Sequence, residues 1–186
     1  MGKSWVKLCS IATVTILLHG CAFGNRQLNL EYEPVTVKAS PNHIPIYVNE
    51  FIDERTDKSV IGHVRNGYGM KTAEVLTSTP IGSWVTQAFK TELENVGFTI
   101  SDNPQNEIQT QGEVITVYCD SYMQYEGKII LDVVLKKGDE VILDKKYEGR
   151  GSNMNWAATS NGYASTLKQA LQNAMSQLII DIDSKL

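Results

Sequence analysis

Three carboxylates fall within five residues, at Asp53, Glu54 and Asp57, and Arg55 stands among them. Such a set would hold a hard cation if backbone carbonyls and waters completed the shell. The spacing is not that of a calcium loop, whose acids alternate before a glycine. The segment directly follows the apolar alternation of Ile44, Ile46 and Val48. An Asp–Arg pair at a strand end more often fixes a turn, with the guanidinium as a bidentate donor. The salt-bridge reading therefore leads, and a ligand or catalytic pocket beside Asp53 and Arg55 is the alternative.

Other reactive side chains are sparse. Cys119 lies alone in a strand-like run, where a small buried hydrophobe is the commoner role. His43 and His63 are twenty residues apart and lack the paired spacing of a zinc site. No serine sits in a nucleophile elbow. The glycines of Asn66-Gly67-Tyr68-Gly69 lack the Lys-Ser/Thr of a phosphate loop, so they read as a turn. The expectation is a protein with no metal, no cofactor and no catalytic residue. Tyr118, Tyr122, Met123 and Tyr125 cluster where strand signals fade. Those rings either form a binding surface or pack a strand end.

The elements that must position these groups follow from periodicity. A first core strand covers 44–51, and short arms at 60–64 and 70–76 flank the glycine turn as a hairpin. Thr79 suits a helix cap, Pro80 a first helical position and Gly97 an exit. Between them Ile81, Trp84, Val85, Ala88, Phe89, Leu93 and Val96 form one apolar stripe. Trp84 belongs in the core. A strand begins at Phe98, and three more cover about 107–119, 127–137 and 140–150. In the middle one Ile129, Leu131, Val133 and Leu135 share a face while Ile130 and Val134 make the other apolar too, as for a central strand. A polar loop carries Trp156. A last helix starts within 160–166, with Leu167, Ala170, Leu171, Ala174, Leu178 and Ile182 on one side. The fold class is α+β: a single domain with a mainly antiparallel sheet and two helices packed on it.

The N-terminus sets the location. Lys3 and Lys7 precede an apolar run from Leu8 to Leu18, shorter than the roughly 20 residues of a membrane span. It reads as a secretory leader. Leu18-His19-Gly20-Cys21 resembles the lipobox of bacterial lipoproteins, which implies cleavage before Cys21 and its lipidation. Ala22 follows instead of an aspartate, which by resemblance to the sorting rule of enteric bacteria implies the outer membrane. The expected divisions are a leader at 1–20, a polar, proline-punctuated tether at 21–42 and a periplasmic domain at 43–186. Removing the leader takes away two lysines and no acid, leaving 15 basic and 21 acidic residues and a formal charge of −6. That balance argues against nucleic acid. Within the tether Leu28, Leu30 and Tyr32 alternate with polar residues, as in a short strand that clips onto the domain.

Around Ile52-Asp53-Glu54-Arg55-Thr56-Asp57 the chain resembles the YajG-like family of uncharacterised bacterial lipoproteins. The likeness continues through the helix ending Val96-Gly97-Phe98, the strand meander and the C-terminal helix. It implies an outer-membrane lipoprotein on the periplasmic face, held through Cys21. The expected role is a non-enzymatic accessory protein that binds an envelope partner through a sheet edge or the tyrosine-rich end.

Overall fold

A computed structural model describes residues 24–35 and 44–186 of the chain. Cys21, His43 and the expected leader at 1–20 lie outside the described residues. Strands β1 (Arg26–Leu28), β2 (Pro45–Val48), β3 (Ile52–Asp53), β4 (Val60–Arg65) and β5 (Lys71–Thr77) precede helix α1 (Ile81–Asn95). Strands β6 (Thr99–Ser101), β7 (Ile108–Asp120), β8 (Gln124–Lys137) and β9 (Glu140–Met154) follow, and helix α2 (Ser160–Asp183) closes the order.

The nine strands of the described residues belong to one sheet. The long β7–β8–β9 meander is antiparallel, as is the β4–β5 hairpin. The remaining pairings are parallel, and most of them fall on one edge of β7. That edge receives β2 at Gln109 and Thr110, β3 at Glu113 and Val114, and β4 at Cys119 and Asp120. The expected 44–51 strand is thus divided between β2 and β3. At the break Phe51 turns inward across Gly112 and meets Phe89 of α1 edge to face, with centroids 5.8 Å apart.

Both helices cover one face of the sheet. Ile129, Leu131, Val133 and Leu135 of β8 are fully buried beneath them, while Ile130 and Val134 face the open side half-buried. A bulge between Val114 and Thr116 of β7 admits one extra residue, which keeps both Val114 and Val117 on the core face. Gly149 of β9 lets α2 come down on the sheet, since a Cβ there would stand 1.9 Å from the Ala170 carbonyl oxygen.

The α1 start differs from the expectation. Pro80 is the extended residue before the helix, and no side chain caps it. The Thr79 hydroxyl instead accepts the Leu30 N–H at 3.2 Å, because the strap after β1 crosses there. That strap is fastened to both helices. Tyr32 and the Val35 N–H donate to buried Glu92 on α1, while Lys168 and Gln172 of α2 bond Glu33. In α2, Thr159 is the cap and accepts from Gly162 N–H at 3.2 Å. Trp84 is 5% exposed and lies in the core.

Candidate functional site

Asp53 and Arg55 form a closed pair. Arg55 donates from Nε and Nη2 to the two Asp53 oxygens, each at 2.8 Å, and Nη2 also reaches the Lys58 carbonyl at 3.2 Å. Arg55 is 6% exposed, and its Nη1 meets no acceptor among the described residues. Burial raises the Asp53 carboxyl, but the Arg55 hydrogen bonds and charge outweigh it and hold the group below its ordinary value. Asp57 does not join them: its carboxylate accepts from the N–H groups of Ser59 and Val60 and from the Ser59 hydroxyl. The three nearby carboxylates therefore do not converge. Asp53 and Asp57 each fix part of the turn that carries the chain from β3 into β4.

A second polar group joins β4 to β7. The Tyr118 hydroxyl donates to Asp120 Oδ2 at 3.1 Å and lies 2.8 Å from His63 Nδ1. With the phenol O–H directed at Asp120, the second bond is donated by His63 Nδ1–H to the Tyr118 oxygen. Arg65 Nε reaches both Asp120 oxygens at 2.8 Å. Burial, together with Asp120 beside it, pushes the Tyr118 hydroxyl up to about 12. Burial and the charge of Lys71 hold His63 below its usual value. Register creates this group, since His63 stands opposite Asp120 in the parallel ladder. No local sequence spacing could have shown it. Next to it Cys119 is fully buried, and desolvation pushes its thiol up to about 12.

The tyrosine cluster divides. Tyr118 belongs to that network, and Tyr125 is buried against Tyr163 with ring centroids 4.9 Å apart. Tyr122 and Met123 remain exposed in the turn between β7 and β8. Both readings of the cluster thus apply, to different residues.

The open face of the sheet carries a groove of about 470 Å³. Ile52 and Val134 form its apolar part, and Glu50, Glu113, Asp132 and Asp144 line it with carboxylates. Lys146 pairs with Asp132 at 3.4 Å, leaving the groove acidic on balance. Strand alternation is the signal for it: Gln111 and Glu113 interleave with buried Thr110, Gly112 and Val114. Among the described residues no group of three His, Cys, Asp or Glu could hold a metal ion, and no helix is long and apolar enough to cross a membrane.

No curated protein is significantly similar in sequence. Solved structures share the fold. A DUF330 protein of Xanthomonas campestris superimposes with a TM-score of 0.60 at 13% identity, covering 86% of this chain and 97% of its own. An uncharacterised protein gives 0.55 at 10% identity, with 86% and 97% covered. A hypothetical protein of Chlamydia trachomatis gives 0.53 at 8% identity, with 77% and 98% covered. The family model described as uncharacterised lipoprotein matches residues 36–184, from just before β2 to the end of α2. The chain belongs to this YajG-like family of uncharacterised lipoproteins.

Proposed function

We propose that the protein is anchored through Cys21 in the outer membrane, faces the periplasm, and acts by binding an envelope partner rather than by catalysis. The observation that carries this reading is the acidic groove on the uncovered sheet face. An exposed Ile52 beside Glu50, Glu113, Asp132 and Asp144 suits a basic segment that brings an apolar side chain. Two further features support binding over chemistry. The His63–Tyr118–Asp120–Arg65 bonds tie strands together, and the Cys119 thiol is buried and held protonated.

Site-directed photo-crosslinking in intact cells tests the reading. A photoreactive residue at Ile52 is compared with one at Ile180, which is exposed on α2. The groove position should give a discrete protein adduct that weakens when Glu113 and Asp132 become lysines. Equal adducts from Ile180, or an Ile52 adduct indifferent to those charge reversals, would sink it.

A further inference from the structure

The direction of β1 places the chain's entry at one end of the sheet. β1 runs parallel to β5, with Arg26 opposite Val75 and Leu28 opposite Thr77, so Gly24 and Asn25 lie toward the start of β5. That is the end occupied by the 66–70 turn. Asn25 Oδ1 accepts the Glu74 N–H at 2.9 Å, and Arg26 Nε donates to the Ala158 carbonyl at 2.8 Å. The 121–123 turn and the 154–159 segment reach the same end, because β7 is parallel to β4 and β9 is antiparallel to β8.

Among the described residues nine large apolar side chains are exposed, and six of them stand at this end: Tyr68, Met70, Tyr122, Met123, Met154 and Trp156. Tyr68 is 89%, Trp156 84% and Met123 81% exposed. The connections that carry them adjoin. The Tyr122 ring lies 3.4 Å from where a Cβ on Gly69 would be, and Met154 is opposite Gln124 in the ladder. Asn155, next to Trp156, donates to the Ser121 carbonyl at 2.9 Å. Met123 holds φ at 61°, a left-handed conformation rare outside glycine, in a turn that presents its side chain outward. Scattered apolar residues need no explanation, but a cluster of two tyrosines, a tryptophan and three methionines does.

The occupant follows from chain length. Gly24 is three residues beyond Cys21, and three residues span at most about 10 Å. Acyl chains on Cys21 would therefore hold this end against the bilayer surface, where aromatic rings favour the headgroup layer. Two ion pairs close within the protein beside this end, Arg65 with Asp120 and Lys71 with Glu74 at 3.0 Å, and Glu126 accepts from the Gln124 amide at 2.7 Å. The unbalanced carboxylates of the groove lie on the open face instead.

We infer that this end is a membrane-contacting face, its six apolar side chains resting in the interfacial layer of the phospholipid leaflet that holds the Cys21 acyl chains. The strands then stand away from the membrane and the groove opens sideways into the periplasm. The inference rests on the proposed anchoring through Cys21.

Tryptophan fluorescence of the full lipidated protein in phosphatidylethanolamine–phosphatidylglycerol vesicles tests it. Loss of Trp5 with the leader leaves only Trp84 and Trp156, and a Trp156→Phe protein supplies the buried Trp84 baseline. The Trp156 component should be shielded from aqueous iodide and lose about half its emission to lipids brominated along the acyl chain. Vesicle flotation is read on the same samples. Flotation with Trp156 open to iodide and untouched by bromolipid overturns the membrane seat and leaves the anchor standing. Failure to float removes the anchor and the seat together. A photoreactive residue at Met123 should label lipid in cells; a protein adduct there instead would make this end a protein interface and overturn the proposal.

Discussion

Asn173 on α2 donates its side-chain amide to the carbonyl oxygen of Arg150 on β9, at 2.7 Å. It is one rung of a ladder with four-residue spacing. Gln169 accepts the Ser152 N–H at 2.8 Å, and Gln177 donates to the Glu148 carbonyl at 3.0 Å. Asp181 takes Lys145 Nζ at 2.6 Å and the Tyr147 hydroxyl at 2.9 Å. Among the described residues β9 pairs only with β8, and an open edge strand invites a second chain. One row of α2 side chains covers this edge, which favours a partner surface elsewhere than on the outer edge of β9.

Replacing Asn173 and Gln177 together by leucine should uncover the edge. Each lost bond costs about 0.5–1.5 kcal/mol, read as a lower urea midpoint, and light scattering should show self-association. A monodisperse double variant with an unchanged midpoint would show that the ladder does not guard the edge.

Gly149→Ala should be costly for a different reason. The added methyl would meet backbone, the Ala170 oxygen at 1.9 Å and the Ala174 nitrogen at 2.7 Å, so α2 must lift from the sheet. The expected loss is about 1–3 kcal/mol or more. Gly67→Ala, in open space, should stay within about 0.5 kcal/mol of the parent. Equal midpoints for the two would contradict the close approach of α2.

Trp84→Ala empties a buried aromatic site and should cost about 3–5 kcal/mol in urea melts. A loss below about 1 kcal/mol would mean the cavity collapses freely, which the flanking buried Val85, Ala88 and Phe89 argue against.

Asp53→Asn and Arg55→Lys should act on stability, since a point charge cannot replace the fork across both Asp53 oxygens. The sign with pH follows from the lowered Asp53 pKa. Its contribution is complete above the unfolded value of about 3.9 and is lost as pH falls through the folded value. The Asp53→Asn protein should therefore start less stable at neutral pH and lose less on acidification. An unchanged midpoint together with a lost crosslink at Ile52 would instead make Asp53 part of a binding site.

Cys21→Ser should leave the protein uncleaved or released from membranes, as fractionation and mass spectrometry of the mature N-terminus would show. Normal processing and outer-membrane recovery of that variant would remove Cys21 from the anchor.

Local pattern made much of this molecule legible. The α1 stripe, the 66–70 turn, the β7–β9 meander and the start of α2 each depend on residues close in sequence, where periodicity and turn chemistry act directly. Resemblance carried the family, through a chain of short motifs that the matched region 36–184 spans. What tertiary structure decided were relations between distant strands. Parallel pairing of β2, β3 and β4 along β7 leaves no local mark, so neither the mixed sheet nor the His63–Tyr118–Asp120 network could be read in advance. The same is true of the apolar end. Tyr68, Tyr122 and Trp156 are ordinary loop residues until strand direction brings their three connections to the point where the chain enters from Cys21. Sequence gives each side chain its chemistry, but adjacency across the sheet is set by register, and register is fixed only when all the strands bury their core faces together.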